Sequence, residues 1–221
     1  MSNPIPDSIE QFAGAVGPDG DDVLAEMDDY ADREGFPTVG PAVGGWLELL
    51  ARLVGAERVF EFGSGYGYSA YWFCRALPDD GEIVLTEVDA DELELAREYL
   101  DRGDFEASAR FELGDAIETV GSYDGPFDVV LIDNEKHRYR EAFERVREKV
   151  APGGIVVADN AIAGSTIDHE DVRRLLDGES VDATGPSEGI AEYLSAVRAD
   201  PDFRTSLLPV GEGVAVSYRT K

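Results

Sequence analysis

Short uninterrupted apolar runs alternate along this chain with longer stretches whose apolar residues recur every three to four positions. The short runs fall at residues 58–62, 82–87, 110–113, 127–132 and 154–158. The longer stretches cover 68–76, 91–102, 116–120 and 139–149. Runs of four to six apolar residues read as strands buried on both faces, and the three-to-four spacing reads as helix. Alternation of the two predicts a parallel sheet covered by helices on both sides. Asp89 followed by Glu92 resembles a capping box ahead of 91–102, and Gly103 a stop after it.

The two ends read differently. Residues 1–20 are rich in Pro, Gly and Asp and are expected to be partly mobile. Helices are expected at 21–34 and, after Pro41, at 43–53. Near the other end, 188–198 reads as a helix. The runs 203–208 and 214–218 flank Pro-Val-Gly-Glu-Gly, which predicts an antiparallel hairpin closing the sheet edge. The expected fold is therefore α/β: a doubly wound, mostly parallel sheet with a C-terminal antiparallel hairpin and N-terminal helices. A helical extension at 1–35 precedes a main domain at 36–221.

Composition narrows the class. The 221 residues are 43% hydrophobic, enough for a core, yet the formal net charge is -28. The acids are spread through every segment rather than gathered in a tail, and there are three lysines against sixteen arginines. Diffuse acidity suggests adaptation to a salt-rich cytoplasm, where ions screen the repulsion; it predicts weak stability at low salt. The same charge argues against nucleic-acid partners, weakly if the whole cell is acidic. One cysteine, Cys74, excludes an internal disulfide and a cysteine cluster and is expected to be a buried apolar residue. No long apolar run or leader segment is visible, so a cytoplasmic location is expected.

The chemistry gathers at strand ends. The first strand runs into Glu61-Phe-Gly63-Ser-Gly65-Tyr-Gly67-Tyr68-Ser69 and then a helix. Glycines at such a turn let a ligand approach the backbone N–H groups. Glu87 ends the next strand, where an acid can accept hydrogen bonds from ribose hydroxyls. A dinucleotide fingerprint would place its third glycine at position 68, where Tyr68 stands. S-adenosylmethionine, which has no pyrophosphate, fits this loop better than a nicotinamide dinucleotide. Gly114-Asp115-Ala116 is then placed to meet the adenine.

Asp133 follows the fourth strand and Asp159-Asn160 the fifth, with Lys136 three residues past Asp133. Two carboxylates and an amide suit Mg²⁺ or another hard divalent cation, and leave room for two acceptor oxygens. An adjacent lysine, unlike an arginine, can lose its proton. Trp46, Tyr71 and Trp72 are expected to pack; Trp46 could instead line an acceptor pocket. Tyr139 is expected to pack at a helix start.

These residues resemble the cation-dependent O-methyltransferase family, which includes catechol and caffeoyl-CoA O-methyltransferases. The likeness covers roughly residues 35–221. Val59 to Ala70 resembles its cofactor motif, and Leu208-Pro-Val-Gly-Glu-Gly213 its terminal hairpin turn. The resemblance implies a class I methyltransferase fold and S-adenosylmethionine bound by Glu61, Gly63, Gly65, Gly67, Tyr68, Ser69, Glu87, Asp115, Ala116 and Asp133. It implies metal held by Asp133, Asp159 and Asn160, and Lys136 as general base toward a small hydroxylated acceptor. It also implies a homodimer. Glu135, where relatives carry small or aromatic residues, is expected beside the acceptor and would favour a polar or cationic one. Residues 161–185 match the family poorly. The alternatives are methylation of a hydroxylated uridine in tRNA, non-catalytic binding of S-adenosylmethionine, and a nicotinamide dehydrogenase.

Overall fold

The computed structural model describes residues 4–164, 167–183 and 185–221. The expectations for residues 1–3, and for Ser165, Thr166 and Thr184 in the poorly matching segment, lie outside the described residues. Seven strands form one sheet among the described residues: β1 (Arg58–Phe62), β2 (Glu82–Glu87), β3 (Ser108–Leu113), β4 (Phe127–Ile132), β5 (Val150–Ala158), β6 (Phe203–Leu208) and β7 (Val214–Arg219). Their order is β3-β2-β1-β4-β5-β7-β6. The first five pair in parallel, while β7 runs antiparallel to both β5 and β6. This is the doubly wound sheet with a terminal hairpin that the pattern predicts.

Helices cover both faces because the strands are apolar on both. On one side, Val59, Ile83, Leu85, Val129, Leu131 and Val157 meet α2 (Asp22–Glu34), α3 (Gly40–Val54), α4 (Tyr68–Cys74) and α5 (Ala90–Arg102). On the other, Phe60, Phe62, Val84, Val130, Ile132 and Val156 meet α6 (Ala116–Thr119), α7 (Tyr139–Val146), α8 (His169–Leu176) and α9 (Gly185–Ala199). Alternate residues of each strand thus belong to opposite cores. Fully burying one such side chain is worth about 1.5–3 kcal/mol. Cys74 is buried among them, as expected.

Within the N-terminal extension, residues 7–16 form α1 (Asp7–Val16), a helix not expected there, which packs on α3. The poorly matching segment carries α8, whose start is capped by the Asp168 carboxylate accepting from Glu170 N and Asp171 N. Asp89 caps α5 by accepting from Asp91 N and Glu92 N. Gly103 ends α5 as expected, with a right-handed φ of -68° and its N–H donating to the Leu100 and Tyr99 carbonyls. A side chain there would collide with the Phe105 ring, which is why glycine is needed. Tyr71 and Trp72 are buried, whereas Trp46 is 37% exposed on α3 and lines neither a core nor the main cavity.

Candidate active site

The C-terminal ends of β1, β2, β4 and β5 open into one cavity of about 700 Å³. Open α/β sheets bind ligands at this edge, where the strand order reverses; here the reversal lies between β1 and β4.

The glycine loop forms one wall. Gly63 has a φ of 79°, and a β-carbon on it would press the Asp133 carbonyl oxygen at 2.7 Å. Glycine therefore lets the loop lie directly on the end of β4. Gly67, with a φ of 86°, packs as closely on Ala96 of α5. Gly65 N donates to Glu87 Oε2 at 2.9 Å, and Glu87 Oε1 accepts from Val88 N and Asp89 N. Each carboxylate oxygen can accept more than one bond, so Glu87 braces the loop and still faces the cavity, which it lines together with Tyr68 and Ser69. Glu61 differs: it is fully buried behind the loop and lines no cavity. Burial pushes its carboxyl up to about 8, against the pull of the Ser69 hydroxyl.

A smaller cleft of about 330 Å³ shares Gly63, Glu87 and Asp133 with the main cavity. Asp115 and Ala116 line it, as does Glu135. Asp115 caps α6 through Ile117 N at 2.8 Å and accepts from Arg138 Nη1 at 2.6 Å. That guanidinium holds the Asp115 carboxyl below its ordinary value. Glu135 lines this cleft with Asp115 and not the main cavity.

Asp133, Lys136, Asp159 and Asn160 all line the main cavity. Lys136 Nζ donates to Asp133 Oδ1 and to the Tyr139 hydroxyl, each at 2.7 Å. The Tyr139 hydroxyl, fully buried, shares its own proton between Asp133 Oδ1 at 3.2 Å and the Asp159 carbonyl at 3.3 Å. Tyr139 packs at the start of α7 as the sequence suggests, and its hydroxyl also joins the site through Lys136 and Asp133. Asp159 is only 6% exposed and its Oδ1 has no partner. Burial, and then the charge of Asp133, push its carboxyl up. A buried carboxylate with a free oxygen beside a second carboxylate is a setting that a cation relieves. Among the described residues no three His, Cys, Asp or Glu side chains gather as a metal cluster. The set here is two carboxylates plus the Asn160 amide, donors that fit a hard divalent cation.

Two acids of the cavity were not singled out from the sequence. Glu212, in the turn between β6 and β7, accepts from Asn160 Nδ2. Its carbonyl also accepts from Ile162 N and Ala163 N, so the hairpin grips the segment after β5. Asn160 itself has a φ of 56°, a left-handed conformation that asparagine tolerates. Glu10 of α1 also lines the cavity. Burial raises its carboxyl, and Asp7 and Glu212 add to the rise. An apolar wall of Phe36, Pro37 and Val39 joins them.

The O-methyltransferase family model matches residues 21–220. The chain is 32% identical to a catechol O-methyltransferase of Niastella koreensis over 80% of this chain and 84% of that one. It is 28% identical to caffeoyl-CoA O-methyltransferase 2 of Populus trichocarpa, over 80% of this chain and 73% of that one. Its fold is shared by the O-methyltransferase TomG of Streptomyces achromogenes, solved in complex with SAM, with a TM-score of 0.81, 23% identity and coverage of 97% and 96%.

Proposed function

This chain belongs to the O-methyltransferase family, and on that footing we propose that it moves a methyl group from S-adenosylmethionine to a hydroxyl of a small catechol-like or other phenolic acceptor, with a divalent cation. One observation carries the reading: Lys136, Asp133, Asp159 and Asn160 share a cavity with the glycine loop.

The residues divide the work. Gly63, Gly65 and Ser69 would hold the methionine end of the donor, Glu87 its ribose, and Asp115 with Ala116 its adenine. Asp133, Asp159 and Asn160 would hold the cation, which when bound acidifies the coordinated hydroxyl. Lys136 would take the hydroxyl proton at Nζ, an atom kept in place by Asp133 and Tyr139. Phe36, Pro37 and Val39 would shed water from the acceptor ring. Holding both reactants in line supplies much of the acceleration.

The tRNA reading finds less support. Arg138 is paired with Asp115 and Glu141, and Arg140 with Glu144, so these arginines form no free basic stripe. Among the described residues no helix is long and apolar enough to cross a membrane. The test uses labelled S-adenosylmethionine, a panel of phenols, Mg²⁺ and molar salt. Methyl transfer should stop on adding a chelator while donor binding persists. Turnover that survives chelation would remove the cation from the reading.

A further inference from the structure

One short turn serves two openings. Lys136 and Arg138 belong to the same 3-10 turn, closed by Arg138 N donating to the Glu135 carbonyl at 2.8 Å. Lys136 lines the main cavity, and Arg138 lines the smaller cleft beside it. The Arg138 guanidinium forks. Its Nη1 donates to Asp115 Oδ2 at 2.6 Å and its Nε to Glu141 Oε2 at 3.3 Å. Asp115 is a firm anchor, because its Oδ1 accepts from Ile117 N and Glu118 N at the start of α6. Asp133 and Tyr139 grip the tip of Lys136; the Arg138 bridge grips the turn from which it extends.

The bridge is half open to water. The Arg138 and Asp115 side chains are 26% and 32% exposed, and both line the cleft. A wet ion pair holds weakly, since solvent screens it. A ligand filling the cleft excludes that water and strengthens the attraction between the two charges. Resting on the function proposed above, we propose that Arg138 is a positioning residue: through Asp115 it makes occupation of the donor cleft fix the turn that presents Lys136 to the acceptor. With the cleft empty the turn opens more often and the amine is loosely held. With the donor's nucleoside against Asp115 the turn stays closed, so the base is set in place when a methyl group is at hand.

The test follows the turn itself. Hydrogen exchange at the amides of 136–138 is measured on the full chain, in constant salt, with and without saturating S-adenosylhomocysteine, the spent donor. This ligand is expected to slow exchange about tenfold in the wild type and less than about twofold in Arg138→Gln. Calorimetry should show its affinity weakened about threefold to tenfold in that variant, and kcat at saturating donor should fall about tenfold. Arg138→Lys should recover part of each loss, because one ammonium can still bridge to Asp115 but lacks the fork; it carries the same comparison if Arg138→Gln does not fold. The kcat losses of Arg138→Gln and Asp115→Asn should coincide in the double variant instead of multiplying. Equal slowing of exchange in wild type and variant, no slowing in either, or kcat losses that multiply would make Arg138 a staple between α6 and α7 and overturn the inference, leaving the methyl-transfer reading standing. Failure of the wild type to bind S-adenosylhomocysteine overturns that reading, and the inference with it.

Discussion

Gly189 of α9 lies against the carbonyl of Lys136 with no room between them for a side chain. The contact fixes the 3-10 turn Lys136–Arg138, which carries the amine into the cavity. A methyl group at 189 must push that turn away from the sheet. Gly189→Ala is expected to cost about 1–3 kcal/mol of stability through overpacking. It should also lower kcat about tenfold to a hundredfold, because small displacements of a reacting group are expensive. Thermal unfolding and steady-state kinetics check both parts. A variant with wild-type kcat would show that the turn is positioned by other contacts.

Lys136→Arg keeps the positive charge but removes a group able to accept a proton. We expect kcat to fall by about 10²–10³ while donor affinity, measured by calorimetry, stays within twofold. Tyr139→Phe deletes one of the two hydrogen bonds that hold Nζ. It should lower kcat by less than the arginine variant does, read by the same steady-state kinetics. Wild-type turnover by the arginine variant would end the assignment of Lys136 as base.

Glu212→Ala removes the acceptor of the Asn160 amide and frees that side chain to rotate. Residues that orient a ligand commonly matter about tenfold to a hundredfold in metal affinity. Titration of Mn²⁺ into the protein without donor or acceptor reads this directly. Unchanged Mn²⁺ affinity would mean that Asn160 is oriented by its backbone alone.

Glu61 supplies a pH dependence of stability. Its carboxyl is raised from 4.5 to about 8 in the folded chain, chiefly by burial. Between these values the folded state keeps a proton that the unfolded chain has released. The contribution is full below pH 4.5 and is lost as pH rises through 8, with a slope approaching about 1 kcal/mol per pH unit. Glu61→Gln should flatten the fall in stability between pH 5 and 8, read as the difference between the two proteins' denaturant midpoints in constant salt. Parallel curves for variant and wild type would mean that Glu61 is ionised in the fold.

The sheet was legible because each strand is a local apolar run: β1, β2, β4 and β6 have the bounds their residues predict. β3 extends further toward its N-terminal end through Ser108-Ala109, which pair with Glu82 and Ile83, and β5 through Val150-Ala-Pro-Gly153, where Val150 pairs with Phe127 ahead of a register shift; only a neighbouring strand makes these polar and small residues extended. α1 was hidden for a different reason. Its apolar residues Ile9, Phe12 and Val16 are correctly spaced, but they are exposed and embedded among proline, glycine and acids. In the site, Asp133, Asp159, Asn160 and Lys136 announce themselves at strand ends. Glu10 and Glu212 do not, because in a chain with 47 acids an acid carries little information until the fold aims it at something. Tyr139 was read correctly as a packing ring at a helix start; that its oxygen also reaches Lys136 was not visible in the sequence.

The hairpin has a consequence for how such a chain ages. β7 is stitched antiparallel to β5, and the turn before it grips residues 160–163 through side chain and backbone alike. A protease cutting ahead of Phe203 would strip β7 from the β5 edge and take Gly211 and Glu212 out of the cavity wall. Val214, Ala215 and Phe203 would leave the two cores with it, so the ends of the chain hold the fold and the cavity together.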